Sequence, residues 1–508
     1  MPERNPVVIG VDSSTQSTKA AVVDSATGAL LAVGRAPHTV TGTDGARESD
    51  PGQWWSALRD AVGRGLRDAG VPARAVVAIA VAGQQHGLVV LDGDGTPLRP
   101  ALLWNDVRSA PQAVALTDAL GGPRPWLART GSVPVAAMTA AKWAWLRAHE
   151  PATAAAAARI RLPHDFLTER LTGEAVTDPG DASGTCWYST AAHAYDAGLL
   201  DLLGIDPGLL PAVAPTGATR VGTLAPSAAR ALGLPGHVAV AAGTGDNMAA
   251  AVGLGLGAHG LLDHPVVSLG TSGTVYAATR TRPAAPGLAG FAATDATYLP
   301  LGCTLNCTLA VDRFARLLGL DREQAVPGGG VVVLPYLDGE RTPDLPHAGG
   351  LLTGLRHDTA SGAVLGAAYE GAAFSVLRVL DGLLDVCTPD PAAVADRPLR
   401  LIGGGARGRF WRDTVRRLSG RPLLVPAVTE PVAYGAAALA AGALTGADPV
   451  APAVAWGAGG GAVLPPVRRD TETWERIAAV LEGAEPLLAR GPGTPGHAHG
   501  PCRRSPRP

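Results

Sequence analysis

Lysine is nearly missing from this 508-residue chain, since it occurs only as Lys19 and Lys142 among 42 basic residues. Acidic residues number 44, so the formal net charge is −2. General nucleic-acid binding depends on a basic patch, and the overall charge balance shows no excess of positive charge to supply one. The composition therefore argues against a nucleic-acid partner.

Cysteine is also scarce, with five residues spread along the chain. An odd, widely spaced set is not the dense disulfide framework of small secreted proteins, so we expect a reducing, cytoplasmic location. Cys303 and Cys307 are four residues apart, which fits one face of a helix. No neighbouring His or Cys completes a zinc set, and this favours a packing role.

Long apolar runs are absent as well. No run reaches the roughly 18 residues of a membrane-spanning helix, and the first residues lack the apolar stretch of a secretory signal. Hydrophobic residues nevertheless make up 46%, enough to bury a core in each of two large domains or three smaller ones. The Gly-, Pro- and His-rich segment from about residue 490 has no apolar periodicity and is expected to be disordered.

Two similar hairpins predict an α/β protein with two related domains. Residues 7–12 form an apolar run that ends in Asp12, and a polar turn separates it from a second apolar run at 19–24. Residues 265–270 and 274–278 repeat this pattern around the turn 271–273. The other predicted elements are a hairpin of strands at 76–81 and 88–91, and helices at 54–65, 136–148, 247–252 and 363–384.

Phosphate binding cannot rest on a P-loop here, because no Gly-Lys pair occurs in the chain. The two hydroxyl-rich hairpin turns can instead direct backbone N–H groups and hydroxyls toward phosphate oxygens. Asp12 would repel phosphate unless Mg²⁺, held through water, lies between them, and Lys19 could add a positive charge. The alternative is a pair of tight turns with a surface aspartate.

Residues 403–408 match the glycine pattern of dinucleotide-binding proteins, and they follow an apolar strand at 399–402. A NAD-dependent oxidoreductase is therefore an alternative. Only about a hundred residues follow the pattern, too few for the rest of that fold plus a substrate domain. The glycines can also let a nucleotide lie against the N-terminus of a helix that starts near Arg409.

Asp246 lies where a strand at 238–242 gives way to an Ala-rich helix. The common role of an aspartate at such a junction is to cap the helix. A general base near the junction of two domains is the functional alternative, and the two roles are compatible.

Two polar clusters have the composition of a sugar site. Gln85 and His86 interrupt an apolar segment, and residues 103–108 place Trp104, Asn105 and Asp106 at the end of an apolar run. An aromatic face combined with directional hydrogen bonds suits sugar hydroxyls. A solvated loop is the alternative for each cluster.

Taken together, these motifs resemble the FGGY carbohydrate kinases from about residue 7 to residue 441. Their order and spacing carry the resemblance more than any single piece does. The matching segments are the Asp12 loop and residues 50–55 (DPGQWW), 82–87 (AGQQHG), 103–106 (LWND), 182–185 (ASGT), 245–247 (GDN), 268–273 (SLGTSG), 334–343 (LPYLDGERTP) and 402–407 (IGGGAR).

The resemblance implies two actin-like, ribonuclease-H-like α/β domains around a central cleft. They would comprise residues 1–255, mainly for sugar binding, and 256–445, mainly for nucleotide binding, followed by an extension at 446–508. The implied activity is transfer of the γ-phosphate of ATP to the 5-hydroxyl of D-xylulose with Mg²⁺. A homodimer is also expected.

Site residues follow from the resemblance position by position. Asp246 matches the catalytic base and Asp12 the residue that positions Mg²⁺ and phosphate, with both carboxylates near the ion through water. The implied sugar contacts are Gln85, His86, Trp104, Asn105, Asp106 and Asn247. The implied nucleotide contacts are Thr15, Lys19, Thr271, Gly404 and Gly405.

Three positions depart from the family pattern. Ser14 stands where many relatives have Gly, Gln85 where some have Met, and His164 where Lys often precedes Asp165. The first bears on the tightness of the turn, the second on sugar specificity and the third on local electrostatics. Another ketose, a polyol or a sugar acid such as ribulose or gluconate is the alternative acceptor. An actin-like ATP-binding protein without sugar chemistry is a further alternative.

Overall fold

A computed structural model describes residues 5–388 and 390–489, so the segment predicted to be disordered lies outside the described residues. Two seven-stranded sheets organise the described part of the chain. We number their strands β1 to β14 in chain order.

The first sheet has the order β5-β6-β4-β1-β2-β3, with β7 beside the end of β4. The strands β1 to β3 form an antiparallel meander, whereas β1, β4, β6 and β7 run parallel. Every residue of β1 is buried. The bounds are β1 Val7–Ser13, β2 Ser17–Asp24, β3 Leu30–Pro37, β4 Val76–Gly83, β5 Arg220–Thr223, β6 Ala239–Ala241 and β7 Thr244–Gly245.

The second sheet repeats this arrangement in the order β10-β11-β9-β8-β12-β13-β14. Here β8 pairs antiparallel with β9 and parallel with β12, as β1 pairs with β2 and β4. The prediction of two related domains is confirmed. The bounds are β8 Val266–Leu269, β9 Gly273–Tyr276, β10 Ala289–Ala292, β11 Tyr298–Thr304, β12 Leu399–Ile402, β13 Leu423–Pro426 and β14 Gly461–Leu464.

Helices cover the sheets and fill the long connections. They are α1 Pro51–Ala69, α2 Ala110–Ala119, α3 Pro123–Thr130, α4 Thr139–His149, α5 Pro151–Ala156, α6 Pro163–Thr172, α7 Pro179–Ser183, α8 Ala197–Leu203, α9 Pro226–Leu232, α10 Asp246–Gly253, α11 Thr308–Leu318, α12 Ser361–Cys387, α13 Arg409–Ser419, α14 Pro431–Thr445, α15 Ala451–Ala455 and α16 Thr471–Leu488. The four helices predicted from the sequence are all present, with longer or slightly shifted ends.

Two local predictions are wrong. The strand Val89–Leu91 pairs with Arg159–Arg161 rather than with β4, because the chain after β4 leaves the sheet at the polar residues 84–86. Cys303 belongs to β11 and Cys307 precedes α11, so the two thiols do not share a helix face. The four cysteines among the described residues are free.

The helix α12 has the length and composition of a membrane-spanning helix, with 27 residues. In its most apolar window 89% of the residues are buried inside the protein. It packs against α11, α13 and strands of the second sheet, which is the setting of a core helix.

The helix α14 comes from the second half of the chain but packs on the first sheet. A Cβ at Gly10 of β1 would lie 1.9 Å from the carbonyl oxygen of Ala433, so this close crossing depends on glycine. The same helix crosses α10, where Gly253 faces the carbonyl of Pro431 and Gly435 faces that of Ala249. Small residues thus let α10, which begins with Asp246, pack closely on α14, which itself lies on the first sheet.

Candidate active site

Three polar segments meet at one edge of the first sheet because its parallel strands end there. Asp12 pairs with Ala82 in β4, and Gly83 of β4 pairs with Gly245 of β7. Gln85 and His86 follow β4 directly, and Asp246 follows β7. Crevices at the carboxyl ends of parallel strands are the usual ligand sites of open α/β sheets.

Asp12 is the buried acid of this edge, with 2% exposure. The hydroxyl of Ser14 donates to its Oδ1 at 2.5 Å, and Nζ of Lys19 lies 3.3 Å from its Oδ2. Burial raises the pKa of Asp12, and Lys19 and Ser14 only partly offset this effect. The hydroxyl of Ser14 thus supports the carboxylate.

Lys19 has a second partner that the sequence did not reveal. Its Nζ donates to Oε2 of Glu430 at 2.7 Å, just before α14 begins. Burial opposes its charge, but Asp12 and Glu430 together raise the pKa of Lys19. The ammonium is therefore fully charged near neutral pH and shared between two carboxylates.

Asp246 is the first residue of α10 and not its cap. Gly245 occupies the cap position, and Oδ1 of Asp246 accepts from the backbone N–H of Asn247 at 2.8 Å. Burial, followed by the charges of Asp12 and Asp181, raises the pKa of Asp246 to about 8. Strand pairing through β4 brings the two acids predicted for catalysis to the same edge of the sheet.

Gln85 and Asn247 form one polar unit beside Asp246. The amide Nδ2 of Asn247 donates to Oε1 of Gln85 at 2.7 Å. Within the described residues, Nε2 of Gln85 is buried without a hydrogen-bond partner. A buried donor without a partner is costly, and a ligand hydroxyl would satisfy it.

His86 lies where the two halves of the molecule meet. Its Nδ1 is 3.0 Å from the carbonyl oxygen of Gly184, and its ring packs on Phe291 of β10 with centroids 5.5 Å apart. Mainly through burial, the pKa of His86 falls to about 4. The neutral ring can exchange hydrogen bonds with an uncharged ligand.

Residues 104–106 divide between exposed and structural roles. Trp104 is 44% exposed, and its Nε1 donates to Oγ1 of Thr15 at 3.0 Å, so a predicted sugar contact touches a predicted nucleotide contact. Oδ1 of Asn105 is buried and has no partner in the described part of the chain. The Asp106 carboxylate accepts hydrogen bonds from the backbone N–H of Arg47 and from the guanidinium of Arg108. A sugar hydroxyl that binds Asp106 would therefore be an additional donor to a carboxylate that already has these two partners.

The remaining predicted nucleotide contacts lie on the second sheet. Thr271 is exposed in the turn after β8, and Gly404 and Gly405 begin the 3-10 turn Gly404–Arg407 after β12. Gly403 has φ 86°, and a Cβ there would lie 2.6 Å from the carbonyl of Leu269. Gly404 and Gly405 thus lie in a 3-10 turn, and α13 begins only after Gly408, unlike the dinucleotide-binding pattern, in which the glycine turn leads directly into the helix.

A buried ion-pair cluster next to the site consists of His164, Asp165 and Asp181. Its only sign in the sequence is the departure at His164. Nδ1 of His164 lies 2.6 Å from Oδ2 of Asp181, and its Nε2 lies 3.3 Å from Oδ1 of Asp165. Burial opposes the charged ring, but the two carboxylates outweigh it and raise the pKa of His164 to about 9. The three side chains have the donor types of a metal site, yet both ring nitrogens face carboxylates, as in a charged imidazolium.

Asp181 and Tyr276 are further residues that the sequence reasoning missed. The charge of Asp181 acts on Asp246, and a Cβ at Gly245 would lie 3.0 Å from Oδ1 of Asp181. Burial, followed by the charge of Asp246, raises the pKa of Tyr276 in β9. Only the position of Asp181 beside the motif at 182–185 offered a signal.

Two sheets of this topology, with ligand loops at their carboxyl edges, define the actin-like class of nucleotide-binding folds. Family models of the FGGY carbohydrate kinases match the chain, the N-terminal domain over residues 7–253 and the C-terminal domain over residues 266–444. The chain belongs to the FGGY family of carbohydrate kinases. It is therefore a sugar kinase, and the family implies ATP as the phosphate donor.

Individual relatives cover nearly the whole chain. The chain is 58% identical to a xylulose kinase of Streptomyces rubiginosus over 490 residues, 96% of this chain and 98% of that protein. It is 32% identical to a xylulose kinase of Escherichia coli (strain K12), over 82% and 85% of the two chains. The crystal structure of xylulose kinase from Bifidobacterium adolescentis matches with a TM-score of 0.78 and 32% identity, covering 94% of this chain and 99% of that one.

Proposed function

We propose that this protein transfers the γ-phosphate of ATP to the 5-hydroxyl of D-xylulose, giving D-xylulose 5-phosphate and ADP. Similarity to proteins named xylulose kinase, at 58% identity over nearly full length, supports this acceptor. The observation that carries the site is the meeting of Asp12, Asp246 and the Gln85–Asn247 pair at one sheet edge.

Asp246 is the proposed general base. Burial and the neighbouring acids raise the pKa of Asp246 to about 8. Its carboxylate takes the proton of the sugar hydroxyl as the hydroxyl oxygen bonds to phosphorus. Phosphoryl transfer has a loose transition state, so positioning and charge neutralisation contribute most of the rate. A base with a pKa near 8 is better matched to this task than an ordinary aspartate.

The donor set of the site fits Mg²⁺. Asp12 and Asp246 supply carboxylate oxygens, which Mg²⁺ prefers, and their mutual repulsion is what a divalent cation would relieve. Bound there, the ion would neutralise phosphate charge. Lys19 and the turns with Thr15, Thr271, Gly404 and Gly405 are the proposed contacts of the nucleotide.

The proposed sugar pocket consists of Gln85, His86, Asn247 and residues 104–106. Nε2 of Gln85 and Oδ1 of Asn105 are buried polar atoms that lack a partner within the described residues. A ketose offers hydroxyl and carbonyl groups of the right polarity for both atoms. These two unpartnered polar atoms favour a site for a polyhydroxylated ligand, and they argue against an actin-like protein without sugar chemistry.

The acceptor is tested by one coupled ADP-release assay over a panel of D-xylulose, ribulose, gluconate and simple polyols. We expect the highest kcat/KM for D-xylulose. A higher value for ribulose, gluconate or a polyol would overturn the acceptor while leaving the kinase class intact.

The division into domains at 1–255 and 256–445, with an extension from 446, is also proposed, and the limits of the two family models support it. Free cysteines among the described residues support a reducing cytoplasm as the location. The homodimer stays a prediction that light scattering would test.

A further inference from the structure

Lys142 is a buried lysine whose partners are backbone carbonyls. It lies in α4 with 1% exposure, and its Nζ donates to the carbonyl oxygens of Ala136 at 2.7 Å and Asp106 at 3.2 Å. No carboxylate of residues 5–388 or 390–489 forms an ion pair with it. A buried ammonium without an ion-pair partner destabilises the fold, which points to a role for Lys142 other than stability.

The first turn of α4 reaches other segments of the sugar site as well. The hydroxyl of Thr139 donates to the carbonyl oxygen of His86 at 3.1 Å, and the N–H of Ala140 donates to that of Thr185 at 2.9 Å. Thr139 and Lys142 are three residues apart, so they lie on the same face of the helix. One helix turn therefore holds the backbone of two separate candidate sugar segments.

These bonds fix the residues that carry unpartnered polar atoms. The carbonyl of His86 follows Gln85 by one residue, and that of Asp106 follows Asn105 by one residue. His86 also has φ 67°, a conformation that side-chain-bearing residues rarely adopt without support. The two bonds from α4 are the contacts that link the backbone beside Gln85 to the backbone beside Asn105 through a single helix turn.

We propose that Thr139 and Lys142 form a clamp that sets the distance between the sugar-binding segments 85–86 and 104–106, with Lys142 as a positioning residue for sugar affinity. The inference rests on the proposed assignment of these segments to sugar binding. Burial lowers the pKa of Lys142 to about 7, and the charge of Arg108 acts in the same direction, opposed by Asp106. The chain therefore keeps this group at an electrostatic cost.

Lys142→Met and Thr139→Val test the clamp in the full-length enzyme. Each variant removes hydrogen bonds to one segment and keeps the size of the side chain. We expect each to raise the KM for D-xylulose, Lys142→Met by about tenfold, as for loss of a charged hydrogen bond. The KM for ATP and kcat at saturating sugar should stay within about twofold.

Thr117→Val is the matched control, because the Thr117 hydroxyl donates to a backbone carbonyl, that of Ala113, at 2.9 Å in α2. It should leave the KM for D-xylulose unchanged. A general loss of stability would lower the active fraction, and with it the apparent kcat, without raising the KM for D-xylulose alone, so a selective rise in that KM separates positioning from damage. If Lys142→Met does not fold, Thr139→Val decides alone.

Asn105→Ala and Gln85→Ala separate failure of the clamp from failure of the sugar site. A raised KM for D-xylulose in these two variants, with normal values in the clamp variants, overturns the clamp and leaves the sugar site standing. Normal values in all four variants overturn both.

Discussion

Nζ of Lys19 lies 2.7 Å from Oε2 of Glu430, although 411 residues separate them in the chain. The same ammonium is 3.3 Å from Oδ2 of Asp12. Glu430 precedes α14, the helix that returns from the second half of the chain to cover the first sheet. The first hairpin is thereby tied to the helix against which α10 and Asp246 pack.

Lys19→Met should lower kcat/KM for ATP by about tenfold or more, because a charged hydrogen bond is lost and Asp12 stays buried without its cation. Glu430→Gln should lower kcat/KM for ATP by less than about threefold, since the amide oxygen still accepts a hydrogen bond from Lys19. Steady-state kinetics with ATP varied measure both effects.

Arg35→Gln is the control for this pair, because Arg35 lies 3.7 Å from Glu430 and is largely exposed. Its kinetics should match those of the wild type. If Glu430→Gln proves as damaging as Lys19→Met, Lys19 acts through Glu430 and not on the nucleotide.

Asp246→Asn should lower kcat by about 10² to 10⁴, because the amide keeps the shape of the side chain but cannot take the proton of the hydroxyl. The KM for D-xylulose should change much less. Asp60→Asn, an exposed acid on α1, is the matched control. A folded Asp246→Asn enzyme with near wild-type kcat would show that another group acts as the base.

The pH dependence of kcat/KM should follow the protonation of Asp246. Burial and the neighbouring acids raise the pKa of Asp246 to about 8, and only the deprotonated form accepts a proton. Activity should therefore climb about tenfold per pH unit below about 8 and level off above it. His86, with its pKa lowered to about 4, stays neutral over this range. A flat profile between about pH 6 and 9 would contradict the assignment.

His164→Gln should destabilise the fold by about 3–5 kcal/mol, because Asp165 and Asp181 would be left buried without a cation. His164→Lys keeps the positive charge and should therefore destabilise the fold by less than His164→Gln does. Since neighbours raise the pKa of His164 to about 9, its contribution is complete below about pH 6.5 and is lost as pH rises through about 9. Denaturant unfolding measures this, and equal midpoints for His164→Gln and wild type would count against the ion-pair cluster.

Much of the fold could be predicted because its signals are local. The apolar run ending in Asp12, the polar turn and the return strand specify a hairpin by themselves, and the copy around residues 271–273 specifies the second. The strand Val89–Leu91 was paired wrongly because its partner, Arg159–Arg161, lies far along the chain and strand pairing leaves no local mark.

The motif residues of the site could also be proposed from the sequence, but their supports could not. Tyr276 and Lys142 have no distinctive neighbours in the chain, Asp181 is marked only by the adjacent motif at 182–185, and all three matter through groups that folding brings near. The position of Asp246 in the sequence likewise predicts a helix cap as its commonest role. Only its surroundings in the fold raise the pKa of its carboxyl group to about 8.

The sequence alone thus determined two related α/β domains, the family and the chemical types of its site residues, because these depend on composition, periodicity and motif order. The tertiary structure decided which charges face one another: Lys19 between two acids, His164 between two more, and Asp246 opposite Asp12. Charges act over distances in space rather than along the chain, so the pKa values on which the proposed chemistry depends exist only in the folded protein.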